Sequence, residues 1–525
     1  MATTSRKSKT AAETLKSFNP QKGKVVGEVR ANSPGEVSDI VAHARKVAPE
    51  WGGIDPEGRA RILKEVRVRL YERMDQIIDT VAMECGKPRA EALAFDVVPT
   101  MLNLLYHERT APKFLRQQKV GRFIGPIMGA ASHIEWRPYG VVGCITPWNY
   151  PVYNCFLAMT SALFAGNTIV VKPSEVTPQV GECIRELLEP LPTGVATVIQ
   201  GGADVGAALV DAPCDKISFV GSPLTGRKIA EAAAKHLTPV VMELGGKDAA
   251  VVCSDADLDI ATSGILWGSF FNAGQTCCSI ERVFVVDSIA DQFKDRLLTK
   301  LGEVTHGEDG DVGSLTFPRQ LEVVERHVSD AVGKGATVLS GGPGTGPQNK
   351  NGSLWYAPTI LEGVSDEMDV TKEETFGPVL TITRVQDEEE AVRRSNEGVN
   401  LTASVWTKDT KKAYRLARKL RAGTISINAH GETGGAPWTP WGGVGESGYG
   451  RLNGELGLKE FSVPVHISRS VTGKRKHLWW YPYNEATTET LRSLAAVLGA
   501  PSLTTKLGAL RKVVGSATRA FRSKL

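Results

Sequence analysis

Residues 141–171 give the clearest indication of the fold, and they read VVGCI, then TPWNYPVYNCFLAMTSALFAGN, then TIVV. An apolar run is followed by a loop, a helical pattern over 154–165 and a second apolar run at 168–171. Further units of this kind continue to residue 242. Apolar runs without strict alternation, separated by helices, are typical of parallel strands that are covered on both faces. The stretch therefore predicts a doubly wound α/β domain.

Outside this stretch, the length of 525 residues indicates two large domains. A second α/β series runs from residue 249 to residue 420, and amphipathic helices are predicted over 33–48 and 57–85. Residues 127–139 read as part of a protruding hairpin because their second half alternates in polarity. The predicted fold is a doubly wound parallel-sheet domain plus a second α/β domain and a small β-hairpin element.

Composition and charge exclude several classes of protein. The chain is 42% hydrophobic and 23% charged, and its apolar runs fall short of the ~18 residues that span a bilayer. The net charge is +4, but residues 473–525 carry ten Lys or Arg against two Glu, so their +8 leaves −4 for the rest. No global basic patch for nucleic acid is expected. The N-terminus lacks the apolar core of a signal peptide, which predicts the cytoplasm.

The eight cysteines show neither a CxxC pair nor histidines at zinc spacing. Reduced thiols and no metal site are therefore expected. Two of them, Cys277 and Cys278, are adjacent in a Gly/Asn turn after an aromatic helical segment and before the apolar run 283–286. From these residues alone, Cys277 is either a nucleophile or a buried, inert thiol.

Two further polar side chains stand at predicted strand ends. Asn149 lies between Pro147 and Pro151, where its amide would be held stiffly, as a donor to an oxyanion must be. Glu243 precedes the Gly245-Gly246 pair and can act as a general base if partial burial raises its pKa. The alternatives are a turn asparagine and a solvated glutamate.

No GxGxxG motif follows a predicted strand, so the common dinucleotide fingerprint is absent. Gly221-Ser222 stands directly before a helix, where free N–H groups can receive a pyrophosphate, although such a pair is also an ordinary N-cap. Lys172, Ser174 and Glu175 follow a buried strand and could hold ribose hydroxyls or simply cap the next helix.

Taken together, seven motifs resemble, in order and spacing, those of the NAD(P)-dependent aldehyde dehydrogenase superfamily. They are Trp148-Asn149-Tyr150-Pro151, Lys172-Pro173-Ser174-Glu175, Phe219-Val220-Gly221-Ser222, Glu243-Leu244-Gly245-Gly246-Lys247, Asn272-x-Gly274-Gln275-x-Cys277, Glu374-Thr375-Phe376-Gly377-Pro378 and Pro440-Trp441-Gly442-Gly443. The resemblance covers about residues 20 to 470.

The resemblance implies a catalytic role for three residues. Cys277 would attack the aldehyde carbonyl as a thiolate, and the Asn149 amide and the Cys277 N–H would hold the oxyanion. Glu243 would activate the water that hydrolyses the thioester to the acid. Cys278 would have no chemical part, so its alternatives are packing or a disulfide with Cys277.

The resemblance also implies NAD as the cofactor. Lys172, Ser174 and Glu175 would bind the adenosine ribose, and Glu175 would repel a 2′-phosphate, so NADP is expected to bind less well. The remaining cofactor positions implied are Trp148, Gly221, Ser222, Gly226, Glu374 and Phe376. Trp441, Gly445 and Asp248 depart from residues common in the family, and these departures leave the identity of the aldehyde open.

The domain boundaries follow from the same resemblance. An NAD-binding domain is expected at 1–120 and 137–244, a catalytic domain at 245–445 and an oligomerisation element at 121–136 and 455–472. The last of these implies a homodimer or a homotetramer. A cofactor-independent thiol esterase or hydrolase would leave Lys172, Ser222 and Glu374 without a task, and an inactive scaffold would not explain Cys277 beside Asn149 and Glu243.

Residues 473–525 form a basic extension beyond the family's usual end. Its apolar residues recur at intervals of three and four from Leu503 to Phe521, with Lys and Arg between them. This pattern predicts a basic amphipathic helix. The helix would either dock on protein or lie on an anionic membrane surface, to which lipid-derived aldehydes would be delivered.

Overall fold

The structure is a computed structural model that describes residues 13–121, 130–431, 433–471, 476–481 and 483–522, with the backbone alone for 521 and 522. Residues 1–12, residues 122–129 and 472 of the predicted oligomerisation element, and residues 473–475, 482 and 523–525 of the predicted tail lie outside the described residues.

The strands of the described chain are β1 (Thr14–Asn19), β2 (Lys24–Arg30), β3 (Gln118–Val120), β4 (Ala130–Pro138), β5 (Val141–Ile145), β6 (Thr168–Lys172), β7 (Ala196–Val198), β8 (Lys216–Gly221), β9 (Val240–Leu244), β10 (Ala249–Val252), β11 (Arg282–Val286), β12 (Thr337–Ser340), β13 (Thr359–Glu362), β14 (Val379–Val385), β15 (Thr402–Trp406), β16 (Thr424–Ile427), β17 (Gly448–Tyr449) and β18 (Ser462–Ser470).

The α-helices are α1 (Pro34–Gly53), α2 (Pro56–Glu72), α3 (Met74–Cys85), α4 (Arg89–Ala92), α5 (Val98–Phe114), α6 (Pro151–Ala165), α7 (Pro178–Leu187), α8 (Ala203–Asp211), α9 (Pro223–Ala234), α10 (Leu258–Phe270), α11 (Asp287–Leu301), α12 (Pro318–Gly333), α13 (Asp369–Lys372), α14 (Glu388–Glu397), α15 (Thr410–Ala417), α16 (Gly454–Glu460), α17 (Glu485–Gly499) and α18 (Leu503–Arg522). A π-helical turn, Leu93–Val97, joins α4 to α5, and 3-10 turns are formed by Phe271–Gly274 and Gly445–Ser447. The helix predicted over 57–85 is two helices, because Arg73 leaves helical geometry at φ −105° and ψ 13°.

The first large sheet confirms the doubly wound prediction. Its order is β17-β9-β8-β5-β6-β7, and all pairs are parallel except β17 with β9. The chain starts in the middle at β5, moves outward through β6 and β7, and then returns to add β8 and β9 on the other side. The strand order reverses between β5 and β8, and ligands bind in the crevice at such a point.

Helix α6 shows why this stretch folds as predicted. Pro151 stands at its first turn, where the missing N–H costs nothing, and Gly166 ends it in the left-handed conformation at φ 99°. Every residue from 151 to 165 is buried, which explains the absence of a polar stripe in its sequence. The helix packs against β5 and β6 and begins directly after the loop that holds Asn149.

The second large sheet has the order β12-β13-β14-β11-β10-β15-β16, and it is parallel apart from the edge pair β12 with β13. Its core includes Phe293, Trp406 and Phe270. Both large sheets belong to one compact unit, which comprises the chain up to residue 115 together with residues 137–463.

A second unit comprises residues 116–136 and the chain from residue 464. Strands β3, β4 and β18 form a three-stranded sheet in the order β18-β4-β3. Strand β4 lies within the hairpin region predicted at 127–139. Helices α17 and α18 pack against each other in the same unit. Among the described residues, no helix is both long enough and apolar enough to cross a membrane. The division into cofactor, catalytic and oligomerisation domains stays a prediction.

Candidate active site

Four of the predicted site segments lie at one edge of the first sheet. Register pairs Ile145 with Lys172 and with Phe219, and Gly221 with Leu244, so the strand ends are level with one another. Because these strands are parallel, the loops that follow them leave from the same edge. The topology therefore brings Asn149, Lys172, Ser222 and Glu243 to one side of the sheet.

The loop that carries Cys277 is bent by left-handed backbone. Asn272 and Ala273 both have φ 53°, and Gly274 follows at 69°. A Cβ at Gly274 would lie 2.1 Å from the carbonyl oxygen of Gly377, so this close approach requires glycine. Glu91 anchors the bend, because its carboxylate accepts the Asn272 N–H at 3.0 Å. Cys277 is partly exposed, whereas the other seven cysteines are buried.

The Asn149 side chain is held from both ends. Its Nδ2 donates to the Gln275 carbonyl at 3.0 Å, and its Oδ1 accepts from Asn154 Nδ2 at 3.0 Å. An amide carries two N–H bonds, so the second remains for a ligand. The Gln275 contact ties Asn149 directly to the loop that carries Cys277. This is the rigid donor that an oxyanion needs.

A buried ion pair supports Asn149 from below. The ammonium of Lys87 lies 3.2 Å from Asp96, and both side chains are fully buried. Lys87 also donates to the backbone carbonyl of Asn149 at 2.5 Å, and Asp96 accepts the N–H of Val152 at 3.0 Å and that of Tyr153 at 3.3 Å. The pair thus fixes the start of α6 and the Asn149 backbone together.

Replacing Lys87 with methionine is expected to lower the free energy of unfolding by about 3–5 kcal/mol, because Asp96 would remain buried without its cation. The rate should fall as well, since the Asn149 carbonyl loses a donor. Arg393→Met is the matched control: it breaks an exposed pair with Glu397 at 2.5 Å and should cost less than about 1 kcal/mol. Urea unfolding of both variants measures the difference, and equal losses would contradict the support role.

Glu243 lies on β9 with its side chain buried. Burial raises its pKa to about 8, against the opposing effects of the Arg451 charge and a hydrogen bond with Trp441. Its Oε2 has no hydrogen-bond partner among the described residues. A buried carboxyl oxygen without a partner costs stability and is expected where a ligand or water completes the site. The geometry therefore suits a general base.

Glu374 and Phe376 are held by a residue that the motifs did not single out. The buried Glu281 carboxylate accepts the N–H groups of Thr375 at 2.9 Å and Phe376 at 3.0 Å, and it pairs with Lys247. Glu374 itself accepts from the Gly246 N–H at 3.3 Å. Burial raises the pKa of Glu374 well above its usual range.

The predicted cofactor residues fit a dinucleotide. Lys172 is buried and lies 3.0 Å from Glu175, so a cation and a carboxylate stand side by side as partners for ribose hydroxyls. Ser222 caps α9 by accepting from the Thr225 N–H at 3.4 Å, next to the reversal of strand order. A Cβ at Gly226 would lie 2.7 Å from Leu244, so this glycine is needed for helix–sheet packing.

Three smaller features complete the cofactor side. The Trp148 ring contacts Phe376 at 5.6 Å between ring centroids and Phe317 at 5.0 Å. Ser174 is buried, and its hydroxyl accepts from the Val176 N–H at 3.3 Å. Gly221 has no room for a Cβ, which would meet the Phe219 ring at 2.4 Å.

The charged groups of the site act on one another. A hydrogen bond with Cys278, together with burial and the charges of Glu243 and Glu374, raises the pKa of Cys277. The same hydrogen bond lowers the pKa of Cys278 to about 6. These shifts favour a Cys277 thiol beside a Cys278 thiolate, and the His430 Nε2 lies 2.6 Å from the Cys278 carbonyl oxygen. Both thiols are free, so the disulfide alternative is not formed here.

Comparison with known proteins decides between the remaining interpretations. The model of the aldehyde dehydrogenase family matches residues 6–467. This chain belongs to the aldehyde dehydrogenase family. It is an enzyme that oxidises aldehydes, as the sequence resemblance implied, and neither the thiol hydrolase nor the inactive scaffold is needed to account for it.

The relatives of this aldehyde dehydrogenase differ in substrate and cofactor. The chain is 36% identical over 484 residues to a 4,4'-diapolycopene aldehyde oxidase of Methylomonas sp, covering 91% of this chain and 90% of that protein. An NAD-dependent aldehyde dehydrogenase from Sinorhizobium meliloti superposes with TM-score 0.84 at 33% identity, covering 89% and 93% of the two chains. An E. coli NADP dependent enzyme gives 0.83 at 30%, covering 87% and 95%.

Sequence reasoning missed the residues of this aldehyde dehydrogenase that support the site from behind. Lys87 and Asp96, Glu91, Glu281 and His430 carry no motif that distinguishes them from surface polar residues. The only available signal was the placement of Lys87 directly after a helix-ending glycine. Outside the site, Cys253, Asp255 and Glu388 bring ligand atoms within 4.8 Å, but Lys412 already pairs with both carboxylates.

Proposed function

We propose that this enzyme oxidises an apolar aldehyde to the carboxylic acid with NAD as the oxidant, through a covalent intermediate on Cys277. The observation that carries the proposal is the hydrogen bond from the Asn149 amide to the Gln275 carbonyl in the loop of Cys277. In addition, the charge of the buried Glu243 raises the pKa of Cys277. These groups come from three separate parts of the chain. Their meeting supplies a nucleophile, an oxyanion donor and a base.

The first step is the attack of the Cys277 sulfur on the aldehyde carbon. The thiolate is the reactive form, and Cys277 reaches it when its proton passes to the neighbouring Cys278 sulfur, whose pKa is the lower of the two. The carbonyl oxygen becomes negatively charged, and the second Asn149 N–H and the Cys277 backbone N–H stabilise that charge. The product is a thiohemiacetal on Cys277.

NAD, when bound, supplies the two-electron oxidant that converts the thiohemiacetal into a thioester. Lys172, Ser174 and Glu175 would hold its adenosine ribose, and the end of α9 at Ser222, with Gly221 and Gly226, would receive its pyrophosphate. Glu374 would bind the second ribose, and Trp148 and Phe376 would pack near the ring. Glu281 contributes by fixing the backbone of the Glu374–Phe376 segment.

In the last step, Glu243 removes a proton from a water molecule, which attacks the thioester carbon. The carbon–sulfur bond breaks, the acid leaves and Cys277 is restored. A base with a pKa of about 8 is well placed for this proton transfer near neutral pH.

An apolar aldehyde is proposed because aromatic rings surround the back of the Cys277 loop. Trp267 stacks on Phe271 at 4.4 Å, and Phe95 lies 5.6 Å from each ring. A cavity of about 560 Å³ has an apolar wall that includes Trp267 and Phe271, and a polar wall that includes the charged residues Glu91, Lys300, Glu303 and Asp311. The carotenoid aldehyde in the name of the Methylomonas relative is of this class.

The test is NAD reduction with a panel of aldehydes that runs from short polar to long apolar chains. We expect kcat/KM to rise with apolar chain length, and the acid to form in equal amount to reduced NAD. A panel in which no aldehyde supports reduction would overturn the proposed function. A preference for polar aldehydes would overturn the substrate class alone.

Glu175→Ser is expected to raise the ratio of kcat/KM with NADP to that with NAD by about 10- to 100-fold. The carboxylate that repels a 2′-phosphate is removed, and Lys172 becomes available to pair with the phosphate. Steady-state rates with both cofactors measure the ratio. Glu182→Ser is the matched control, since Glu182 is a glutamate of α7 that pairs with Arg185 at 2.8 Å and accepts from Gln200 Nε2 at 3.5 Å. An unchanged ratio in the Glu175 variant would refute its role in cofactor choice.

The wider setting of the enzyme is part of the same proposal. The three-stranded sheet β18-β4-β3 offers strand edges for pairing with another copy, in a homodimer or a homotetramer. The eight free cysteines are suited to the reducing cytoplasm. Peripheral attachment to a membrane through the tail is also proposed, because the tail is strongly basic.

A further inference from the structure

The helical pair α17–α18 is packed with its small residues inside. On α17, Thr487, Thr490 and Ser493 are buried, and on α18 the buried residues include Ala509 and Ser516. Hydroxyl groups inside this contact are satisfied within their own helices: Thr490 Oγ1 donates to the Ala486 carbonyl at 2.7 Å and Ser516 Oγ to that of Lys512 at 2.7 Å. The fully buried residues of the two helices are therefore small ones, whereas none of their leucines is fully buried.

The leucines of α18 form an exposed stripe instead. Leu503, Leu507, Leu510 and Val514 are 72%, 54%, 49% and 66% exposed. Their spacing of four, three and four residues places them on one face of the helix. On α17, Leu491 and Leu498 are exposed as well. A helix that buries its small residues and exposes its large apolar ones has an apolar face available to a partner.

Cations border this apolar stripe. At 100° per residue, Arg511 lies on one side of the stripe and Lys506 on the other, whereas Lys512 and Arg519 lie on the opposite face of the helix. No acidic residue occurs between Leu503 and Arg522. Arg519 pairs with Glu489 of α17 at 2.7 Å, so it also joins the two helices.

From these observations we infer that the exposed face of α18 binds the surface of an anionic membrane, with the leucines at the acyl boundary and the cations at the headgroups. The pattern of apolar stripe, basic flanks and insufficient length or apolarity to span is that of an interfacial helix. A second copy of α18 would bring like charges together, and nucleic acid would leave the leucines in water. Attachment there would hold the enzyme where apolar aldehydes partition.

The test uses the full chain and vesicles of phosphatidylcholine with and without phosphatidylglycerol, read by co-sedimentation in the absence of aldehyde. We expect binding to the anionic vesicles that weakens as salt is added. Leu507→Ser with Val514→Ser should reduce the partition coefficient at least about tenfold. Lys506→Gln with Arg511→Gln should reduce it by a similar factor and flatten the salt dependence.

Thr504→Ser with Thr505→Ser is the matched control, because both threonines are exposed on α18 away from the centre of the stripe. This variant should bind vesicles within about twofold of the wild type. All variants should keep their helicity and their rate on a short soluble aldehyde, which separates this inference from the proposed reaction. Equal binding by the Leu507/Val514 variant and the wild type, or no wild-type binding, overturns the inference. So does a drop in oligomeric state in that variant, which would identify a contact between copies.

Discussion

Cys277→Ser is expected to lower kcat/KM for aldehyde oxidation by roughly a thousandfold or more. A serine hydroxyl does not ionise near neutral pH and is a far weaker nucleophile than a thiolate. The covalent step would then lack its nucleophile while the oxyanion donor and the base remain. Steady-state rates with the best aldehyde of the panel measure the loss, and NAD binding by fluorescence should be unchanged.

Cys278→Ala is the control for this substitution, because it removes the neighbouring thiol and leaves the nucleophile. We expect its rate to stay within about tenfold of the wild type, with a changed pH profile, since Cys277 loses the hydrogen bond with Cys278 that raises its pKa. If the Cys278 variant were inactive and the Cys277 variant active, the nucleophile would be Cys278. Thermal unfolding of both variants checks that the fold is retained.

Glu243→Gln is expected to lower kcat by about 10²- to 10³-fold and to leave the acyl group on Cys277. The amide keeps the size of the side chain but cannot take a proton from water, so the thioester forms and is not hydrolysed. Intact-protein mass spectrometry after mixing with aldehyde and NAD should therefore detect the adduct. Deacylation by the wild-type enzyme should rise from about pH 7 to pH 9, because Glu243 must be ionised and its pKa is about 8. The variant should show no such rise.

Glu446→Gln is the matched control, because Glu446 is exposed and, among the described residues, forms an ion pair with Arg227 alone, at 2.8 Å. Its kcat and its pH profile should equal those of the wild type.

The raised pKa of Glu243 also affects the stability of the folded enzyme. Because this pKa is raised from 4.5 to about 8, the buried carboxylate costs stability increasingly as the pH rises between these values, and the cost is complete at pH 9, where Glu243→Gln should unfold at a higher temperature than the wild type. A variant that turns over normally without adduct would exclude Glu243 as the base.

The fold could be predicted where a local pattern and the tertiary packing agree. The run predicted as a strand at 141–145 is β5 with the same bounds, and that at 168–171 is β6 with one residue more. Both are buried on two faces, so a continuous apolar run is all that they require. The break of the predicted helix 57–85 at Arg73 was missed, because no proline or glycine marks it.

The site could be predicted only in part, for a related reason. Cys277, Asn149 and Glu243 stand in motifs whose order and spacing identify the family. Lys87 stands 62 positions before the carbonyl that it holds, and Glu281 nearly a hundred positions before the segment that it holds. Such contacts depend on how the chain returns to the same place, which no local spacing records.

The amino-acid sequence alone establishes the alternation of buried strands and helices, the membership in the aldehyde dehydrogenase family and the presence of a basic amphipathic tail. These depend on periodicity and on short motifs, which are local. Tertiary structure alone decided that Asn149 is tied to the Cys277 loop, that burial tunes Glu243, and that α18 turns its small residues inward and its leucines outward. Each of these depends on which surfaces exclude water, and that is a property of the packed chain.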